Sequence, residues 1–454
     1  MTRTGSVRAA RGSLGRRLYC LAAYGLAPAY CAALLSRGVR ERAYWQHLGE
    51  RLGLGPALRS GGIWIHAASA GEVQAAAPLI AALRRREPQG RFVVTASTPA
   101  GAERARALAS GSSAAGTGVD VRLVPLDLPG SVRRFFARTA PRLALVLETE
   151  LWPHLYYECA RRGVPLALVS ARLSERSARR YARVRGIVGR ALEDCTLIAA
   201  QTQADADRFV ALGAPPGKVH VAGNLKLDFE VPQETLVRGR ELRARHAPGR
   251  PLWVAGSTHA GEESVLLDAH RAACEVAPGA LLVMAPRHRP RFGEVGSWLE
   301  SRGVRVARRS LDATCDSRTE VLLLDSLGEL LDFYAAADVV FVGGSLVPIG
   351  GHNLVEPAAL GRPILAGPHL SSAAQIARLL EERGALEIVR DAHALGRALG
   401  ALLSSPDARA RVGARARAAV EESRGAVVRV VRLIEPYLTA GARARETSTG
   451  SAAR

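Results

Sequence analysis

The stretch Ile63–Val73, "IWIHAASAGEV", begins as a strand and ends as a helix. Ile63, Trp64 and Ile65 are strong β-formers. From Ala67 to Gly71 every side chain is small, and then a single carboxylate, Glu72, opens "EVQAAAPLIAALRRREP", whose apolar residues recur at helical spacing. Arg84, Arg85, Arg86 and Pro88 mark where that helix stops. Strand, tight turn and helix are the first half of a βαβ unit. An acid in the first turn complements the helix dipole. The same turn also delivers a side chain to the carboxyl end of a strand, where open α/β sheets bind ligands.

The pattern continues outward from this stretch. "RFVVTAS", "VRLVPLD", "LALVLET", "PLALVSA", "TLIAAQT" and "KVHVAGN" are short β-rich runs with helical segments between most of them. Such alternation predicts a parallel sheet covered on both faces. It lapses between Phe229 and Pro251, then restarts with "LWVAGST", a helix over Glu262–Ala277, "ALLVMAP", "VRVARRS", "EVLLLDS", "DVVFVGGS" and "PILAGP". We therefore expect an α/β protein of two doubly wound, Rossmann-like domains facing across a cleft, over residues 46–235 and 236–440. An N-terminal segment, 1–45, precedes them, and a small, polar tail, 441–454, is expected to be disordered. Glycosyltransferases, nucleotide-sugar 2-epimerases and some binding proteins share this architecture, so it does not by itself assign a function.

Charge narrows the partners. Sixty-two basic residues against 42 acidic ones give a formal charge of +20, which favours anionic ligands or surfaces. No basic patch is interleaved with aromatic residues, so nucleic acid is not expected. Six scattered cysteines without a C-x-x-C pair argue for a reducing compartment and against structural zinc. Near the N-terminus, Leu18–Leu35 is uncharged and lies between Arg16-Arg17 and Arg37, Arg40 and Arg42. Its length and flanks fit a membrane anchor or interfacial helix better than a signal peptide, a lipoprotein box or a buried core helix.

Several strand ends carry chemistry. "FVGGSLVPIGGHNLVEPAALGRPILAGP", Phe341–Pro368, places glycines and then Glu356 where backbone N–H groups can approach a phosphate and a carboxylate can meet ribose hydroxyls. "APRHRPR", Ala285–Arg291, puts Arg287, His288, Arg289 and Arg291 at another strand end, suited to phosphate. Gly328 and Glu329 follow a third strand, and Lys226 of "GNLKLD" a fourth. "LETELWP" ends a buried strand in Glu148 and Glu150, which are costly there unless they meet solvent, a cation or a substrate. Asp205-Ala206-Asp207 spells a D-x-D pattern, but in "QTQADADRF" it reads as the acidic first turn of a helix rather than a metal site.

Taken in order, "WIHAASAGEV", "ETELWP", "GNLKLD", "APRHRPR", "LGEL" and "GGSLVPIGGHNLVEPA" resemble the 3-deoxy-D-manno-octulosonic acid (Kdo) transferases of lipopolysaccharide synthesis over almost the whole chain. The resemblance implies a GT-B fold and transfer of Kdo from CMP-Kdo to the lipid A precursor lipid IVA. Transfer would invert the anomeric centre and need neither cofactor nor metal. It further implies that Glu72 is the general base and that Glu148 and Lys226 stabilise the transition state. Pro286, Arg287, Leu327, Gly328, Glu329, Asn353, Leu354, Val355 and Glu356 would bind the cytidine nucleotide. The first domain would hold the acceptor and the second the donor, on the cytoplasmic side of an anionic inner membrane. His154 departs from the family's usual Asn and is expected to touch acceptor contacts.

Overall fold

A computed structural model describes residues 3–58, 61–110 and 119–449. The chain forms two compact units, one of residues 1–228 with 424–454 and the other of residues 229–423. Each is built on a seven-stranded sheet.

The first sheet comprises β1 (Ile63–His66), β2 (Phe92–Ala96), β3 (Val119–Leu123), β4 (Leu143–Leu147), β5 (Leu166–Ala171), β6 (Leu197–Ala200) and β7 (Val219–Val221). All pairings are parallel, in the order β3-β2-β1-β4-β5-β6-β7. Alternate side chains of β1 feed two separate cores, Ile63 and Ile65 on one face and Trp64 on the other. That explains why the strand reads as continuously apolar. The Trp64 indole N–H is satisfied by Thr95 Oγ1 at 2.8 Å, and its ring meets Phe135 and Phe136 edge-on.

The second sheet comprises β8 (Leu252–Thr258), β9 (Leu281–Pro286), β10 (Val306–Arg308), β11 (Val321–Leu323), β12 (Val339–Val342), β13 (Ile364–Ala366) and β14 (Leu386–Ile388). It too is parallel, in the order β10-β11-β9-β8-β12-β13-β14. Strand order reverses between β1 and β4 in the first sheet and between β8 and β12 in the second. These two switch points leave a crevice at the carboxyl end of each sheet.

The chain-order division of the domains misses one element. The helix Ala426–Thr449 belongs to the first unit, where Ala426, Val427, Val430, Val431, Ile434 and Leu438 join the core beneath Ile63 and Ile65. It also runs through residues 441–449, which the polar composition had assigned to a disordered tail. The apolar residues packed on the sheet outweigh the polar ones that follow. Asp228, the last residue before the chain leaves this unit, accepts hydrogen bonds from the N–H groups of Gly425, Ala426 and Val427 (2.8, 3.1 and 2.5 Å). One carboxylate thus caps the returning helix.

The N-terminal helix, Arg3–Arg40, contains a stretch, Gly15–Val39, long and apolar enough to cross a membrane. Leu18, Leu21, Tyr24, Leu26, Tyr30, Leu35 and Val39 are exposed on it, so it is not a core helix. Tyr19 OH donates to Asp127 Oδ2 at 2.8 Å, and the Arg16 guanidinium lies 3.9 Å above the Tyr157 ring.

Candidate active site

At the β1/β4 switch point the turn after β1 is closed by the residues that open the following helix, Ala70–Arg86. Ser69 Oγ caps it, accepting from Glu72 N–H at 3.3 Å. The Glu72 carboxylate turns back over the same turn: Oε2 accepts from Ala68 N–H at 2.8 Å and Oε1 from Ser69 Oγ–H at 3.1 Å. This is a capping box shifted by one residue. Burial and the nearby charge of Glu148 push the Glu72 carboxyl up to about 7, against the opposing pull of Ala68 N–H. A carboxylate with that affinity for protons is suited to general-base work at neutral pH.

Across the switch point, β4 ends in Leu147, and Glu148 takes a left-handed backbone (φ 56°) with its N–H on Val169 O at 3.1 Å. Such a backbone costs a non-glycine residue about 1 kcal/mol. Its effect is to turn the side chain out of the sheet line toward Lys226, whose Nζ lies 2.7 Å from Glu148 Oε1. Lys226 sits in the turn after β7, where its N–H is held by Asn224 Oδ1 at 3.0 Å. Glu72, Glu148 and Lys226 are thereby gathered at one sheet edge. Glu150 Oε2 accepts from the Trp152 indole N–H at 2.9 Å, and the Glu150 carbonyl accepts from Tyr156 OH at 2.7 Å. Burial raises the Glu150 carboxyl, while that indole bond opposes the shift.

His154 does not face this edge. It is buried, its ring 5.0 Å from that of Tyr19 on the N-terminal helix, and burial lowers its pKa to about 4. Its N–H and that of Leu155 bond to Asp127, which also accepts from Tyr19 OH, so the residue lies where the N-terminal helix docks. Asp205 is engaged in its own helix start. Its carboxylate accepts from Thr202 Oγ–H at 2.6 Å and Leu173 N–H at 2.9 Å, closing the N-terminus of the helix Gln203–Leu212. Among the described residues, no three His, Cys, Asp or Glu side chains gather to hold a metal ion.

In the second unit the expected nucleotide residues all fall at the carboxyl edge of the sheet. Pro286 ends β9 and Arg287 follows it, Leu327–Glu329 follow β11, and Asn353–Glu356 lie in the loop and short helix after β12. β11, β9, β8 and β12 are successive neighbours, so these stretches come from one side of the sheet and its switch point. Arg287 is exposed, with its N–H on Thr258 O at 3.0 Å. Leu327 and Gly328 are exposed as well. Pro286, Leu354 and Val355 are buried. Asn353 Oδ1 accepts from Val355 N–H at 2.9 Å. Burial alone would raise the Glu329 carboxyl, yet the Ser326 hydroxyl and Arg309 (2.7 Å) hold it below the ordinary carboxylate range.

Two expectations at this edge are corrected. Arg291 is paired with Glu263 at 2.5 Å, beside Thr258 Oγ1, and is committed to the fold. The N–H groups of Gly344, Ser345 and Leu346 are not open to a phosphate, because all three donate to the carboxylate of Glu262. Beside them, His259 and His352 stack at 5.1 Å with their Nε2 atoms 2.8 Å apart, and His288 packs edge-on against His259. Glu262, His259 and His352 were not singled out in the sequence. The available signal was "STHAGEE" immediately after a strand, an echo of "ASAGEV".

The sequence model of a family described as 3-deoxy-D-manno-octulosonic-acid transferase (kdotransferase) matches residues 46–229. The chain is 40% identical over 404 residues to the 3-deoxy-D-manno-octulosonic acid transferase of Haemophilus influenzae, covering 88% of this chain and 93% of that one. It is 36% identical over 438 residues to the enzyme of the same name from Bordetella pertussis, covering 94% of this chain and all of the other (100%). In fold it is similar to a crystal structure of a putative UDP-N-acetylglucosamine 2-epimerase from Listeria monocytogenes. That likeness has a TM-score of 0.55 at 16% identity, covers 84% of this chain and 97% of that one, and supports the two-domain GT-B architecture alone. With identity sustained over nearly the full length of both relatives, the chain belongs to the 3-deoxy-D-manno-octulosonic acid transferase family.

Proposed function

We propose that the chain transfers Kdo from CMP-Kdo to lipid IVA, with inversion and without a metal, at the cytoplasmic face of the inner membrane. The observation that carries this reading is a proton-accepting carboxylate, Glu72, set beside the Glu148–Lys226 pair at a sheet switch point in a chain of this family. In the proposed reaction Glu72 takes the proton of the acceptor's sugar hydroxyl as its oxygen bonds to the ketosidic carbon. The bond from that carbon to the CMP phosphate breaks, and its electron pair leaves with CMP. Attack from the face opposite CMP inverts the centre. Glu148 faces the positive charge that develops on the sugar, and Lys226 holds Glu148 in place and offsets the negative charge of the reacting groups.

Pro286, Arg287, Leu327–Glu329 and Asn353–Glu356 are proposed to hold the cytidine nucleotide. The exposed apolar helix with its flanking arginines, together with the +20 charge, suits an acylated, phosphorylated acceptor in an anionic leaflet.

The test is incubation with CMP-Kdo and lipid IVA, followed by lipid mass. A mass increase by Kdo residues is expected, and CMP release without a change in the lipid overturns the proposal. Glu72→Gln is expected to lower transfer at least about 100-fold while CMP binding stays within twofold. Normal turnover in that variant removes Glu72 from the base role.

A further inference from the structure

The two units carry the same tripeptide at the same place. Ala70-Gly71-Glu72 follows β1 and Ala260-Gly261-Glu262 follows β8, each strand lying on one side of its sheet's switch point. The two carboxylates are used differently. Among the described residues Glu72 bonds within its own turn, and burial keeps its proton affinity high. Glu262 is fully buried and reaches across its switch point to the loop after β12. Its Oε2 accepts from His259 N–H at 2.9 Å and Gly344 N–H at 2.7 Å, and its Oε1 from Ser345 N–H and Leu346 N–H, both at 3.0 Å.

Three successive N–H groups converging on one point make an anion nest of the kind that elsewhere binds phosphate. Here the nest is filled from within, and four charge-assisted bonds satisfy both oxygens. The surroundings are tight: a Cβ at Gly343 would lie 2.5 Å from Ser257 O, and one at Gly344 (φ 67°) would lie 3.0 Å from the His352 ring. The nest, its carboxylate and the His259–His352 pair therefore form one close-packed assembly.

We propose that Glu262 is a resident anion and a positioning residue for the nucleotide site. It closes the glycine nest to the donor's phosphate and leaves that phosphate to the rim formed by Arg287, His259 and His352. It also fixes that rim, through His259 N–H on one side and Gly344 N–H on the other. Two like charges sharing the nest would repel strongly in this buried setting. A phosphate and the Glu262 carboxylate thus exclude one another. This inference rests on the donor assignment made in the preceding subsection.

The experiment measures CMP binding to the full chain by calorimetry for the native protein, Glu262→Gly and Glu262→Gln, each with and without formate. Glu262→Gly is expected to weaken CMP at least about tenfold, and formate, small enough to enter the vacated nest, to recover most of the loss. Formate is expected to leave the native protein unchanged. Glu262→Gln, whose amide N–H would face N–H donors, is expected to weaken CMP without rescue, since its nest stays filled. Native-like or tighter CMP binding in Glu262→Gly, or failure of formate to restore it, overturns the proposal. If Glu262→Gly does not fold, Glu262→Gln decides. Native-like CMP affinity in it is then the overturning result, and weakened affinity at an unchanged melting temperature is the supporting one. If the native protein does not bind CMP, the donor assignment is what fails. The resident-anion proposal is then read from inorganic phosphate, which should bind Glu262→Gly at least about tenfold more tightly than the native chain; equal affinity for the two, or binding to neither, overturns it.

Discussion

Glu72 is placed by its neighbours rather than by its own propensity. A serine cap and one backbone N–H hold its carboxylate over the turn, while burial and the charge of Glu148 keep it reluctant to ionise. The sign of the pH dependence follows. A base protonated below about 7 cannot accept the acceptor's proton, so kcat/KM should rise with pH through that value and level off above it. Glu148→Gln removes the like charge next in weight after burial, so the limb should move to lower pH even as the rate falls. A limb unmoved in pH–rate profiles of that variant would dissolve the coupling. Glu148 was legible as a candidate because an acid directly after a buried strand is costly without a partner. Glu72 and Lys226 were legible because they lie in turns after strands, and the roles of all three came from the resemblance. Glu262 was not legible, since three of its four donors lie more than eighty residues downstream and no local pattern announces them.

The strands and most helices follow from the β-α alternation, because a buried parallel strand must be apolar on both faces and its crossover helix on one. The last helix was harder to place. Its apolar residues say that it packs on something, but not on which sheet, and linear order pointed to the nearer domain. Its attachment instead depends on Asp228, which caps it through three N–H groups. Asp228→Ala leaves those donors without their carboxylate and should cost about 1–3 kcal/mol, read as a lower urea midpoint for the first unit. An unchanged midpoint would mean that packing of Val427, Val430 and Ile434 alone seats the helix. Strand order within the second sheet was also beyond the sequence, where β11 lies between β10 and β9. Crossover rules limit such permutations but do not select one.

The division into two units has a consequence for dissection. Residues 229–423 are continuous and own a complete core, so this fragment should fold alone with a cooperative melt. Residues 1–228 lack the helix that covers Ile63, Ile65 and Leu145, and should aggregate unless 424–449 are supplied in cis or in trans. Soluble, cooperative unfolding of 1–228 alone would show that the helix is dispensable. The same return of the chain sets an order on birth. The ribosome makes the strands of the first sheet early and the helix that seals them only after 195 further residues, 229–423. At ordinary synthesis rates that is a wait of roughly 10–40 s. Through that interval the helix Ala70–Arg86 covers only part of one sheet face, and the part that residues 426–438 will cover stays open. The oldest part of the molecule is thus the last to be completed.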